Sequence, residues 1–514
     1  MAQAIWAQWA AIWAQWDLCT PKCISSPYRA MRSENAAGVD DPSILKNRTA
    51  ISYDPDGERK LQDSFENVIE NLGPRRIHWA LASACLLINL IPSVGGGMMP
   101  YIKASVMLEY GVSNTQVAWL SSGSVFSSVV GSAVFGRMAD SFGRTRTFLA
   151  CVALSLPLVL LQLACRGPLG FRLLVALQTL LGLPTAGLSA VVVPYMLEFC
   201  SSSTRGVMGT MINLGWPLGA IYSVLVVRAV GTDNWRLCLL APVPPCILAL
   251  CCLPLLPESP RWLSAVGRHK EAQQVLRLMS ASGALGGGAP APAASQAETL
   301  PLLPEAAACA ESPREPGLPP YRELASPAFR SDILTVCALF ACAGCESFAF
   351  WVFGPELLKG ASGQEPPYWI FIMYSVVSAV ATLLAAVVID SLGRKPLLML
   401  GNWILLLVVA LLLCRPSLSM ACVAWLLMGA ANAFVWVVIP IYSSEIFPTR
   451  LRGTAGGLGN LCCCLAGGLS PLLVGALLGR SFVLTLGVVS GSIVAACYLA
   501  AFLMRETVHA RVAR

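Results

Sequence analysis

Twelve stretches of about 20 apolar residues leave this chain few choices of architecture. They run over 77–99, 115–136, 147–165, 171–193, 207–229 and 236–256, then over 331–353, 369–389, 396–414, 418–440, 454–477 and 481–504. A helix rises 1.5 Å per residue, so about 20 residues cross the ~30 Å hydrocarbon core of a bilayer. No water is available there, and each backbone amide has to bond within its own segment, which makes the stretches helices. Charged residues are 12% of the 514 and hydrophobic ones 56%, against roughly 25% charged in a soluble domain. The expected fold is an all-α membrane protein with twelve transmembrane helices.

The polar connections repeat. GRMADSFGRTR (Gly136 to Arg146) follows the second stretch, and DSLGRK (Asp390 to Lys395) follows the eighth. Two stretches after each comes a second echo. PYMLEF with STRG spans Pro194 to Gly206, and PIYSSEIFPTRLRG spans Pro440 to Gly453. An ordered motif set repeated half a chain apart marks an internal duplication. It predicts two pseudo-symmetric halves of six helices, 77–256 and 331–504.

Lys and Arg orient the bundle. With both termini cytosolic, the inner loops and the tail 505–514 carry 18 of the 35 basic residues, the tail 1–76 carries 9 and the outer side 8. That asymmetry satisfies the positive-inside rule. The net charge of +7 therefore belongs to membrane orientation, and no nucleic-acid partner is expected. The expected location is a plasma or intracellular vesicle membrane.

Two segments lie outside the helices. Residues 1–76 begin with a heptad repeat, AIWAQWA then AIWAQWD (Ala4 to Asp17), which places Trp6, Trp9, Trp13 and Trp16 on one helix face. Trp favours the headgroup level, so an in-plane helix is one reading. A low-complexity extension is the other. Residues 257–330 link the halves: PESPRWL (Pro257 to Leu263), a helical run around Arg268 to Met279, then an Ala/Gly/Pro-rich stretch too poor in apolar residues to fold. Within it, Glu298 to Leu303 has the spacing of an acidic dileucine sorting signal, a pattern also common by chance.

The 20 cysteines sit mostly in apolar helices, where a thiol behaves as a small hydrophobe. Cys462, Cys463 and Cys464 point about 100° apart on a helix and cannot converge on one ion. No metal and no cofactor is expected. The sequon at Asn47 falls in the cytosolic tail and should stay unmodified.

These motifs resemble the major facilitator superfamily over roughly residues 77–507. PxYxxE with a following RG, PESPR after the sixth helix, Trp235-Arg236 before it and YxxEIFPxxxRG are similar to the sugar-porter group and its organic-ion and synaptic-vesicle-related neighbours. The resemblance implies alternating access, with the motifs as a gate latch for the outward-open state. Gly136 and Gly143 would admit close helix approach, and Asp140 would face a helix N-terminus in its own half. Arg144 and Arg146 would pair with acids such as Glu198, and Arg450 or Arg452 with Glu445 or Asp390. Arg205, Glu258, Arg261, Gly393 and Arg394 complete the set. Simple positive-inside anchoring is the plainer alternative.

Three departures from the family pattern bear on the solute. The first helix has no Asp or Glu where proton-coupled porters carry an acid, and Gln178 stands where their partner arginine would be. The seventh helix has Phe340-Ala341, Gly344 and Glu346 where sugar porters carry a glutamine pair, a glycine and an asparagine. Glu346 is the carboxylate set deep in that helix. Such a group costs roughly 2.5–3.5 kcal/mol on insertion scales unless it meets a cavity or a partner, which suits proton coupling or cation capture. Asn213, Trp216, Trp351, Asn432 and Trp436 occupy mid-helix positions able to line a cavity, though packing alone would also explain them.

The expected function is solute transport by a monomer, with a small organic ion or metabolite as cargo and protons as the candidate coupling ion. The alternatives are a sugar facilitator or porter, and a non-transporting receptor or trafficking protein on a transporter fold. No paired catalytic groups share a loop, so no enzyme is expected.

Overall fold

A computed structural model describes residues 69–70, 75–201, 204–282, 323–447 and 449–506, without the side chains of Arg205, Asp390, Thr449, Arg450 and Arg452. All of these lie in one compact unit, residues 65–302 with 313–514. The Trp heptads, Asn47 and Glu298 to Leu303 lie outside the described residues.

The twelve apolar stretches are helices of membrane-crossing length, so this is a multi-pass membrane protein. They are α1 Arg76–Tyr110, α2 Asn114–Phe142, α3 Arg144–Ala164, α4 Gly170–Leu197, α5 Val207–Val230 and α6 Thr232–Leu255, then α7 Arg330–Ser362, α8 Trp369–Ile389, α9 Arg394–Leu413, α10 Leu418–Ile446, α11 Thr454–Leu478 and α12 Phe482–Leu503. Two short helices follow α6, Pro260–Ala265 and His269–Ala281. Ser259 caps the first, its hydroxyl accepting from the Trp262 amide at 3.2 Å. The bundle has a motif end, carrying the α2–α3 and α8–α9 turns, and a far end opposite.

Small residues set the packing within each half, as expected where lipid gives no hydrophobic drive to helix association. A Cβ at Gly131 of α2 would lie 2.3 Å from the Leu183 carbonyl of α4. In the second half, a Cβ at Gly344 of α7 would lie 2.4 Å from the Cys463 carbonyl of α11.

α1 and α7 are longer than the apolar stretches imply, because each contains a break and then continues. α1 is interrupted at Met98, and its second segment, Met99–Tyr110, starts with Pro100 in its first turn. Proline is tolerated there because the first-turn N–H groups have no helical acceptor anyway. α7 departs from helical geometry at Phe353 (φ −112°, ψ 16°), two residues before Pro355. Residues 100–110 and 354–362, expected as outer loops, are therefore helical.

The halves touch toward the far end and part toward the motif end. A Cβ at Gly475 of α11 would lie 2.9 Å from the Asn114 carbonyl at the start of α2, and Ser128 meets Cys464 at 3.4 Å near mid-depth. Nearer the motif end, a Cβ at Gly136, Gly209 or Gly457 would have nothing within 4 Å. The close approach expected at Gly136 is thus not made in this state.

Candidate functional site

At the motif end, each half builds the same cluster from the same kinds of group. In the first half the turn at Gly143 has φ 103°, a conformation in which L side chains are strained. That turn aims the first two amides of α3 at one carboxylate: Glu258 accepts from Arg144 N at 2.9 Å and from Thr145 N at 3.2 Å. The Arg144 side chain reaches back, donating to the Ala139 carbonyl at 2.6 Å and to Glu198 at the end of α4 at 3.0 Å. Tyr195 donates to the Pro257 carbonyl at 2.6 Å, tying α4 to the irregular segment that carries Glu258.

The second half repeats this group by group. Gly393 has φ 96°, and Glu506 accepts from Arg394 N and Lys395 N, both at 3.1 Å. Arg394 donates to the Ile389 carbonyl at 3.2 Å and grips Glu445 through two nitrogens, at 2.8 and 3.0 Å. The Tyr442 hydroxyl accepts from the Arg505 amide at 3.4 Å. A carboxylate over the N-terminus of α3 or α9 gains from both the free N–H groups and the helix dipole.

Several sequence expectations change here. Asp140 does not face a helix N-terminus; it sits at the C-terminal end of α2, is 73% exposed and pairs with Arg144 at 3.0 Å. Glu258 takes the N-terminal place instead. Arg144 is the partner of Glu198, while Arg146 is exposed. Glu445 is held by Arg394 of the α8–α9 turn; the side chains of Arg450, Arg452, Asp390 and Arg205 lie outside the described residues. Arg261 sits in the first turn of the Pro260–Ala265 helix, whose Trp262 donates to the Asp140 carbonyl at 2.8 Å. Glu506 was missed. Its signal is positional, an acid just after the twelfth helix as Glu258 comes just after the sixth.

Within the second half, side chains of α7, α8 and α10 form a polar cluster. Ser347 donates to Asn432 Oδ1 at 2.8 Å and accepts from Trp436 Nε1 at 2.9 Å, and Asn432 Nδ2 reaches the Tyr374 hydroxyl at 3.4 Å. Toward the far end an aromatic chamber adjoins Tyr374, walled also by Tyr101, Phe350, Trp351, Phe371 and Trp425. Trp425 meets Phe350 and Phe371 edge to face and Tyr374 at a tilt, and its buried Nε1 has no hydrogen-bond partner among the described residues.

The predicted solute residues separate accordingly. Asn432 and Trp436 join the polar cluster, and Trp351 lines the chamber with its ring 6.2 Å from that of Trp216. Asn213 and Trp216 are exposed on α5, and Gln178 is buried in α4. Glu346 is 1% exposed and neither carboxyl oxygen has a hydrogen-bond partner among the described residues. Its electrostatic neighbours include Cys342 and, on α12, Cys497. It therefore lies toward α12 within the second half, whereas the next residue, Ser347, joins the cluster with α8 and α10.

Known proteins agree with this architecture. The family described as "Sugar (and other) transporter" matches residues 94–511. Solute carrier family 22 member 7 of Bos taurus is 28% identical over 348 residues, covering 67% of this chain and 60% of that protein. Synaptic vesicle glycoprotein 2C of Rattus norvegicus is 26% identical over 236 residues, 43% of this chain and 32% of its own length. Probable polyol transporter 4 of Arabidopsis thaliana is 27% identical over 463 residues, 84% of this chain and 83% of that one. The match thus spans three fifths or less of the first two relatives. Among solved structures, the xylose transporter XylE from E. coli, partially occluded and inward open, matches with a TM-score of 0.65 at 17% identity, over 84% of this chain and 98% of that one. With twelve membrane-length helices in two matching halves and a family match over most of its length, this chain belongs to the sugar (and other) transporter family, on the fold of the major facilitator superfamily.

Proposed function

We propose that this protein moves a small organic ion or metabolite across its membrane by rocking the two halves about the site between them. The observation that carries this reading is the interface. It is closed by contacts at the far end, open around Gly136, Gly209 and Gly457 toward the motif end, and holds an aromatic chamber that adjoins the polar cluster of the second half. Aromatic faces favour a cationic or planar solute, and Ser347, Asn432 and Tyr374 offer it hydrogen bonds. A hexose fits less well. Phe340, where a sugar porter would place an amide, is 6% exposed and packs on Gly459. The polyol and glucose transporters among the relatives keep a hydroxyl-rich solute as the second reading.

In this reading the motif end is cytosolic, as the Lys and Arg distribution requires. Tags on both termini should then be reached from the cytosol alone; labelling of either from outside would reverse the orientation. Glu346 is the proposed proton carrier. Its buried carboxyl has no hydrogen-bond partner among the described residues, a costly placement for a polar group, so a rearrangement of the second half that brings it to water or to a donor is part of the proposed cycle.

The test is uptake by purified protein in liposomes, offered organic cations, organic anions and hexoses, with and without a proton gradient. The expected result is uptake of an organic ion that rises with an inward proton gradient in the native protein and ignores the gradient in Glu346→Gln. Gradient-insensitive uptake by both would make the protein a facilitator. Hexose uptake alone would establish the sugar reading.

A further inference from the structure

The seal at the far end is an exchange of groups between the two broken helices. Pro100 has no N–H, so the carbonyl four residues earlier, that of Gly96, lacks its helical donor. Trp351 of α7 supplies one, its Nε1 lying 3.4 Å away. A second contact runs in the other direction. Just before the break at Phe353, the Val352 carbonyl accepts from Lys103 Nζ of α1 at 2.7 Å. That ammonium also lies 2.6 Å from Glu356 Oε2 and 3.8 Å from the Phe353 ring centre. Its side chain is 4% exposed, against 30% for Glu356. A desolvated cation on the first half is thus surrounded by groups of the second.

We propose that Lys103 and Glu356 are the fastener of this seal. The pair exists while the two helix segments beyond the breaks are together, and separating them exposes both charges to water at the mouth of the aromatic chamber. The motif-end clusters behave differently, since Arg144 with Glu198 and Arg394 with Glu445 each join helices of one half. Lys103 and Glu356 act by positioning those two segments.

Burial makes the fastener asymmetric. Removing Glu356 leaves a nearly buried ammonium without its counter-charge in the closed state, a penalty that disappears on opening. Removing Lys103 leaves a carboxylate whose Oε2 is buried but whose side chain is 30% exposed, a smaller penalty than for the 4% exposed ammonium. Loss of the acid should therefore open the far end, and loss of both charges should let it close again.

The proposal rests on the transport reading, and on the orientation above only for which face is called outer. Ser375 lines the chamber and is 2% exposed. It is changed to Cys with Cys414→Ser, and a membrane-impermeant maleimide is applied to cells. Native Cys414, exposed at the far end just after α9, serves in the parent as the control for sidedness. If Cys414 reacts from the cytosolic face, the orientation is wrong and the same comparison is made in inverted vesicles. Labelling of Ser375→Cys should be slow, should rise at least tenfold with Glu356→Gln, and should return to within about threefold of the start with Lys103→Met/Glu356→Gln. Glu356→Asp, which keeps the charge but shortens its reach, should fall between and serves if the Gln variant does not fold. Equal labelling with and without Glu356, or a double variant as open as the single, would overturn the proposal.

Discussion

The two motif-end clusters are alike in plan but not in burial, and this sets up a test of how they act. Arg394 and Glu445 are 5% and 8% exposed and meet through two parallel contacts. Arg144 and Glu198 are 13% and 18% exposed and meet through one, and Arg144 also reaches Asp140. Glu→Gln changes neither shape nor length, so each substitution removes the charge alone. Glu445→Gln takes the counter-charge from a guanidinium that is only 5% exposed and weakens two charged hydrogen bonds, each worth about 1.5–3 kcal/mol. Glu198→Gln removes one charged hydrogen bond from a wetter group that keeps two other acceptors, worth about 1.5–3 kcal/mol.

Thermal denaturation of both variants in one lipid–detergent mixture compares them without needing absolute free energies. The expected drop in melting temperature is at least 1.5 times larger for Glu445→Gln than for Glu198→Gln. A buried pair can also be replaced by apolar side chains at little net cost, so Arg394→Met/Glu445→Leu should recover most of the loss. Equal drops, or a larger one for Glu198→Gln, would show that burial does not govern the strength of these clusters.

Two further outcomes follow from the same geometry. A Cβ at Gly143 would lie 2.4 Å from Glu258 Oε2 and one at Gly393 2.8 Å from Glu506 Oε2, both at positive φ. Gly143→Ala and Gly393→Ala should each cost about 1–3 kcal/mol in backbone strain alone, seen as a lower yield of monodisperse protein, and native-like yield of both would refute the clash. Asp140→Asn loses a largely exposed pair worth about 0–1 kcal/mol. It should leave melting unchanged yet slow uptake, and uptake at the native rate would mean that the motif only anchors the loop.

What could be read from the sequence follows from where the physics is local. Lipid forces a helix on any long apolar run, so the twelve spans and the duplicated halves were legible. The ends of α1 and α7 were not. Gly95-Gly96-Gly97 and Pro100 look like a stop, and so does Pro355, but a proline in the first turn lets a helix restart. Lys103 and Glu356 looked like loop residues, because a charge at membrane depth is costly until its partner is known, and the partner is about 250 residues away. Similarly, Glu346 and Ser347 are neighbours in sequence, yet a 100° turn sends one toward α12 and the other toward Asn432 and Trp436 of α10. Asn432 and Trp436, one turn apart on α10, could be paired in advance; their link to Ser347 needed the fold.

The placement of ion pairs also says what moves. Each motif-end cluster ties the turn before α3 or α9, the end of α4 or α10 and the chain after α6 or α12, so three separated pieces of one half share a single carboxylate–arginine knot. Such knots stiffen a half without opposing its rotation against the other. Lys103 and Trp351 cross between halves, so their energy enters the balance between closed and open states directly. Substitutions in the knots should therefore register first in melting, and substitutions in the crossing contacts first in which face of the site is accessible. For the proposed transport, in which cargo enters by one face and leaves by the other, that division lets stability be held in the halves while the interface stays weak enough to reverse.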